Sequence, residues 1–487
     1  VQASPSFTKS FHALLAAANA QARQLEDDGV LSLALPLDGG DPLQLLPLLE
    51  PDGDGDGCGG GGGGAAGGDG FRFLWDGAPG LCIAASGRAH SLELSGPRRF
   101  ELAQRFARLC LSRLGGASED LSACPPQARP RVLLAFGFFD APLETGPAAV
   151  PGVQAVLPRW QLSRHGPHSW LRLQRPLGGG ITPRSVAEEL WEKARQLESH
   201  CATAAPVLPA VMVLERSAWQ EHYRLAAEQA LALVEEQRLE KLVLAVRQQL
   251  ELSESVDPLA LLARLRRTQS GSCRFLWQRQ AGSALLGASP ERLLTVRQGQ
   301  LRSDALAGTA PRLEGASLLA SAKDRLEHEL VVETILAVLT QAGLQPRRPR
   351  RPRLARHGQL VHLHTPITAP LGALDPLTIA AALHPTPAVA GLPRREAISW
   401  LRSLEPFERG HYAAPIGWID SAGDAELRVA IRSGTLRGRQ LELTAGAGLV
   451  RSSVVEQELQ EVQLKLGVLQ QQLNLPSRAT QSSRSIT

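Results

Sequence analysis

The chain has 487 residues, 43% of them apolar, and a formal net charge of +4. That length and apolar content allow a sizeable core and about three domains at ~150 residues each. Aromatic residues make up 4% and there is one methionine, which argues against a base-stacking platform or a methionine-rich docking face.

An amphipathic helix is predicted over 12–27. Residues 51–70, PDGDGDGCGGGGGGAAGGDG, have nothing to pack and are expected to form a disordered surface insertion. Asp52, Asp54 and Asp56 alternate there with glycine, but the closing bidentate Glu of a calcium loop is missing. Strands are predicted at FRFLWD (71–76), LCIAAS (81–86), VLLAFGFF (132–139) and QAVLPRWQLSR (154–164), and helices at 98–113 and 186–201. No glycine-rich phosphate loop accompanies them. A helix over 217–238 leads into the strand LVLAV (242–246), and residues 257–268 are again helical. FLWQ (275–278) and SALLGAS (283–289) are paired strands, RLLTVR–QGQ–LRSDALAG is a hairpin, and one long helix is expected over 316–343.

Residues 347–356 hold six arginines, but Pro349 and Pro352 break any helix and no basic face continues from them. A solvated connecting loop is expected, and no nucleic-acid partner. APIGWID, LRVAIRSGTLRG and RQLELTAGAGLV give further strands, a helix follows over 454–474, and the tail after Pro476 is polar. Hairpins mixed with long helices, without strict βαβ alternation, indicate an α+β fold. The expected organisation is an N-terminal subdomain (1–200), a core (201–475) and a flexible tail (476–487).

No apolar run reaches the ~18 residues of a membrane helix, and the first residues lack the basic-then-apolar order of a secretory signal. Six scattered cysteines without CxxC spacing fit a reducing compartment, so a cytoplasmic protein is expected. The cations are nearly all arginine. The five lysines, Lys9, Lys193, Lys241, Lys323 and Lys465, are therefore informative, because a proton-transfer site needs a cation that can lose its proton and arginine cannot.

Three local patterns carry chemistry. In SAKDRLEHEL (321–330), Asp324 and Glu327 share a helical face, and in ELQEVQLK (458–465) Glu458, Glu461 and Lys465 share another. Each is bland alone. Together they let four carboxylates converge on a hard cation, Mg2+ rather than Ca2+ because no carbonyl-rich loop is present. In TAGAGLV (444–450), Gly446 and Gly448 let backbone N–H groups approach an anion, and Arg432 in the preceding strand can grip a carboxylate in bidentate fashion.

The order and spacing of KLVLAV, LLGASPERLL, ALAGTAPR, SAKDRLEHEL, LVHLHTP, LHPTPAVAGLPRREA, EPFERGHYAAPIGWID, VAIRSG, TAGAGLV and EQELQEVQLK resemble the chorismate-utilising enzymes over some 230 residues. This family includes the isochorismate, salicylate, anthranilate and aminodeoxychorismate synthases. The resemblance implies the chorismate-binding fold, with large antiparallel sheets packed as a sandwich and flanked by helices. It implies Mg2+ held by Glu327 and Glu461, supported by Asp324 and Glu458. Gly308, Thr309, His362, Ala388, Arg432, Gly446, Gly448 and Lys465 would line the substrate pocket, and a monomer is the implied state.

Within the family, Lys241 resembles the general base that activates water and Glu291 the general acid that protonates the departing 4-hydroxyl. Burial beside Leu242 and Leu244 would favour the neutral lysine such a base requires. Ala307 stands where aminodeoxychorismate synthases carry a nucleophilic lysine. The pattern therefore implies an isochorismate synthase of a menaquinone or phylloquinone pathway. The alternatives are a salicylate synthase or, in another class, an inactive chorismate-binding relative or an interaction scaffold that uses the arginine-rich loop. Two departures stand out: Val246 replaces a frequent arginine, and the first 200 residues match only through FLWDGAP, GPRRF and AVLPRW.

Overall fold

A computed structural model of the chain describes residues 10–25, 29–49, 70–77, 79–115, 125–143, 146, 149–178, 180–200, 208 and 210–474. The glycine tract, except Gly70, and the expected tail lie outside the described residues.

Helix α1 (Phe11–Gln24) is followed by β1 (Val30–Asp38), the short α2 (Pro42–Leu45), β2 (Arg72–Asp76), β3 (Cys82–Leu94) and α3 (Arg99–Ser112). Next come β4 (Arg131–Phe136), β5 (Val153–His165), β6 (His168–Pro176), α4 (Pro183–Ser199), β7 (Val213–Arg216), α5 (Gln220–Glu235) and β8 (Lys241–Leu252). Then follow α6 (Pro258–Thr268), β9 (Cys273–Gln280), β10 (Ser283–Ser289), β11 (Arg292–Arg297), β12 (Gln300–Pro311), α7 (Gly315–Ala320) and α8 (Ala322–Gln341). The chain continues through β13 (Arg353–His357), β14 (Leu360–Pro370), α9 (Pro376–Leu383), β15 (Gly391–Leu392) and α10 (Arg394–Leu404). It ends with β16 (Pro415–Asp420), β17 (Ala425–Val429), β18 (Ser433–Arg437), β19 (Gln440–Leu449) and α11 (Val455–Gln470).

Local chemistry sets several helix starts. Asp257 and Asp375 each accept a backbone N–H from two residues on, with proline at the first helical position of α6 and α9. Thr182 and Ser185 form a reciprocal capping box on α4. The single helix expected over 316–343 is two. Ser321 is extended (φ −64°, ψ 120°), and its side chain accepts the Asp324 N–H, so it caps α8 and cuts it from α7. The strand expected through VAIRSG is also divided, at Arg432, which sits in the left-handed region with φ 53°. The arginine-rich stretch is only partly a loop: Arg353–His357 forms β13 against β14, and Arg348 pairs with Glu329 and Glu333.

All pairings between named strands are antiparallel. β5 is flanked by β3 on one edge and by β4 and β6 on the other. One arm runs β3–β2–β9–β10–β18–β19–β8. The other runs β4–β16–β17–β11–β12–β14–β13. The arms face each other across an aromatic layer, in which Phe73, Trp75, Phe275 and Trp277 meet Leu133, Ile416 and Trp418. This is the expected sandwich, and helices flank it. The pairs β2–β9 and β4–β16 cross residue 200, so the N-terminal and core regions share hydrogen-bonded strands. A buried ion pair between Arg274 and Asp76, at 2.9 Å, reinforces the first crossing.

Among the described residues, no helix is long and apolar enough to cross a membrane. Cys82, Cys110 and Cys273 are buried free thiols.

Candidate active site

The site forms where α8 packs on β12 and β14, and α11 packs on β19. Glu291, Glu327, Glu461, Gly308, Thr309, His362, Ala388, Arg432, Gly446, Gly448 and Lys465 line one cavity. Lys241, Asp324 and Glu458 stand behind that lining. The residues singled out in the sequence, spread over more than 200 positions, thus meet at one place.

Lys241 opens β8 and is fully buried; its Nζ stands 3.0 Å from Glu327 Oε1. Gly448 makes room for that pair. A Cβ there would overlap Glu327 Oε1 and come within 2.9 Å of Lys241 Cε. On α11, Lys465 Nζ lies 2.6 Å from Glu461 Oε1 and also donates to the Gly446 carbonyl at 2.7 Å. On α8, Lys323 Nζ reaches Glu458 Oε1 at 2.5 Å. Each of these three glutamates therefore has a lysine counter-ion.

Glu291 follows β10 in a tight local frame. Its N–H donates to Ser289 Oγ, its carbonyl accepts the Val429 N–H, and Ser289 Oγ donates to the Val429 carbonyl. Gly287 lets Arg432 pass close by, since a Cβ there would sit 2.7 Å from the Arg432 oxygen. Burial pushes the Glu291 carboxyl up to about 7, against the opposing pull of Lys241, Arg432 and Lys465. Burial also raises Glu458 to about 7, helped by the negative charge of Glu461 and opposed by Lys323. Burial acts in the same direction on Glu461, but Lys465 and Lys323 outweigh it and hold this carboxyl below its usual value.

His362 is buried, and burial together with Arg432 drives its pKa well below the ordinary value. Its Nδ1 lies 3.0 Å from the Gly308 carbonyl, so the neutral ring donates there and Nε2 is a bare acceptor without a partner among the described residues. Gly308, at φ +69°, places that carbonyl; a Cβ would stand 3.2 Å from Asp324 Oδ1.

A divalent cation suits the donor chemistry of Glu327, Glu461, Glu458 and Asp324: hard oxygen ligands on two facing helices. Glu458 is fully buried, and its Oε2 makes no well-formed hydrogen bond, although the Ser453 hydroxyl stands nearby. In the lysine-paired arrangement, no three His, Cys, Asp or Glu side chains among the described residues are placed to share an ion. Lysine ammonium groups stand on three of these carboxylates, Glu327, Glu458 and Glu461.

Three contributors were missed in the sequence. Lys323 was noted only as a rare lysine, although its scarcity was the signal. Tyr412 lines the cavity and is one of two tyrosines in the chain. Arg409 fixes the cavity's surroundings. It holds both oxygens of Glu405 and donates to the Val389 and Val243 carbonyls. The lining cavity measures about 50 Å3. Tyr412 also borders a larger cleft of about 510 Å3 that contains none of Lys241, Glu291, Glu327 and Glu461, so size alone does not mark the reactive centre.

A family profile described as chorismate binding enzyme matches residues 64–474. The chain is 39% identical over 269 residues to the salicylate biosynthesis isochorismate synthase of Pseudomonas aeruginosa, covering 53% of this chain and 55% of that protein. It is 35% identical over 293 residues to the isochorismate synthase EntC of Escherichia coli, covering 58% of this chain and 75% of that one. Its fold is similar to the solved structure of MenF, the menaquinone-specific isochorismate synthase of Escherichia coli. The TM-score is 0.73 at 27% identity, over 94% of this chain and 99% of that one. Anthranilate synthase component I from Streptococcus pneumoniae shares the fold, with a TM-score of 0.62 at 16% identity. Motifs, sandwich and profile agree: the chain belongs to the chorismate-binding enzymes.

Proposed function

We propose that the protein is a Mg2+-dependent isochorismate synthase, an isomerase that converts chorismate reversibly to isochorismate. The observation that carries this reading is that one site holds both a buried Lys241, set against Glu327, and a buried Glu291 whose carboxyl is raised to about 7. Lys241, once it has given up the proton that pairs it with Glu327, would take a proton from the water that attacks C2. Glu291 would give one to the hydroxyl leaving C4. Atoms balance, since one hydroxyl is added as another departs. Arg432 and the Gly446 backbone would hold the enolpyruvyl carboxylate, and His362 Nε2 would accept a hydrogen bond from a ring hydroxyl. When bound, Mg2+ would neutralise the ring carboxylate. Glu327 and Glu461 would hold it, with Glu458 and Asp324 in support.

Ala307 lines the cavity, so no lysine at that position is available for covalent attack. The relatives named as isochorismate synthases support the reading. A menaquinone or phylloquinone pathway, a cytoplasmic location and a monomeric state belong to the same proposal. A salicylate synthase would use the same Lys241 and Glu291 and then eliminate pyruvate.

The test is incubation of the purified protein with chorismate, in Mg2+ and in EDTA, followed by chromatography. Isochorismate formed only with Mg2+, approaching an equilibrium mixture, is the expected result. Salicylate with pyruvate would move the assignment to the second activity. No turnover in either condition would make the chain an inactive chorismate-binding relative.

A further inference from the structure

Lys241, Lys323 and Lys465 each pair with one glutamate of the site: Glu327, Glu458 and Glu461 respectively. Asp324 adds a fourth carboxylate beside them, and a cation that takes Glu458 must displace the ammonium held there. Lys241 is ill placed to leave: it is fully buried at the start of β8, where its backbone pairs with Leu392. Lys465 is tied twice, to Glu461 and to the Gly446 carbonyl. Among the described residues Lys323 has a single hydrogen-bond partner, Glu458, and its side chain is the most solvent-accessible of the three, at 18% against 12% for Lys465 and 0% for Lys241.

Its position is also locally unfavourable. Lys323 lies in the first turn of α8, where the helix dipole disfavours a cation. Glu458, in the first turn of α11, holds it there. In a chain that uses arginine for most of its ion pairs, a lysine makes a single-point and therefore releasable hold.

We propose that Lys323 is a tethered counter-cation for the metal-site carboxylates. It occupies Glu458 until a divalent cation displaces it, and its ammonium then swings into solvent. Lys323 is thus a positioning residue that sets how tightly the metal binds. This rests on the metal reading given above.

The experiment is Mn2+ binding to the full chain by titration calorimetry, for wild type, Lys323→Gln and Lys323→Arg, with melting curves in EDTA and in Mn2+. Lys323→Gln is expected to bind Mn2+ about ten-fold more tightly, a change of about 1.4 kcal/mol. It should melt below wild type in EDTA and gain more from Mn2+ than wild type does. Lys323→Arg, which can grip Glu458 at two points, should bind Mn2+ several-fold more weakly. A purely structural link between α8 and α11 predicts otherwise: weaker or unchanged Mn2+ binding in Lys323→Gln, which would overturn the proposal. Should Lys323→Gln not fold, Lys323→Arg decides alone, and unchanged affinity there overturns it. Absence of Mn2+ binding in every protein, wild type included, would remove the metal reading and the proposal with it.

Discussion

Lys241 Nζ lies 3.0 Å from Glu327 Oε1 with side-chain exposures of 0% and 8%, so the candidate base is held by a candidate metal ligand. The two roles are therefore separable by substitution. Lys241→Arg retains a cation for Glu327 but cannot give up a proton. It should keep the wild-type circular dichroism spectrum and lose isochorismate formation by roughly 10²–10⁴-fold. Wild-type turnover in this variant would exclude Lys241 as the base.

The pH–rate profile should bend on its alkaline side. Glu291 must be protonated to donate, and burial, opposed by Lys241, Arg432 and Lys465, raises its carboxyl to about 7. As pH rises through that value the acid of the free protein ionises and kcat/KM falls. A plateau extending to pH 9 would assign the proton to another group.

The same burial has a stability consequence of opposite benefit. In the unfolded chain the carboxyl ionises near 4.5, and in the folded protein near 7. Folding favours the protonated form, so stability falls as pH rises from 4.5 to 7 and stays lowered above it. Glu291→Gln removes this contribution, while Glu458, also raised to about 7, keeps its own. It should melt above wild type at pH 8, with the gap narrowing towards pH 5, while losing activity. Scanning fluorimetry across that range measures both slopes.

Gly448→Ala should inactivate without unfolding. The added methyl would overlap Glu327 Oε1 and press on Lys241 Cε at 2.9 Å, disrupting their ion pair from one side. A loss of at least about 100-fold in kcat/KM is expected, in line with what small misplacements of catalytic groups cost. Near-normal kcat/KM would show that the pair moves aside freely.

Arg409→Met tests the frame around the cavity. It leaves Glu405 buried without its partner and frees the Val389 and Val243 carbonyls. Breaking a buried pair this way costs about 3–5 kcal/mol. Denaturant melts should show that loss in the midpoint; a midpoint like that of wild type would mean water replaces the guanidinium.

Much of the site was legible because it rests on short motifs whose backbone does the placing. GASPER contains the glycine that admits Arg432 and the serine that orients Glu291. SAKDRLEHEL contains both the cap and the carboxylates of α8. Pairings between distant segments were harder to read. Lys323 and Glu458 are 135 positions apart, and nothing in either motif names the other. The split at Ser321 was hidden because alanine and leucine continue the helical pattern on both sides, while a single capping hydrogen bond ends it. Edge strands such as β13 and β15 were missed for a related reason: arginines or only two residues carry them, and their pairing comes from the neighbouring strand rather than from their own composition. The division at residue 200 followed the fading of motifs, whereas the strands β2 and β4 pair straight across it.

The cavity of about 50 Å3 gives the ligand-free protein a conflict of interest. If a ligand the size of chorismate enters by widening this space, its apparent affinity is discounted by how seldom the wider form occurs. A substitution that tightens packing between α8 and α11 would then raise the melting temperature and weaken substrate binding together. Engineering this enzyme for heat resistance by filling space at its centre would trade away its appetite for substrate, whereas stabilising the aromatic layer between the sheets would leave that equilibrium alone.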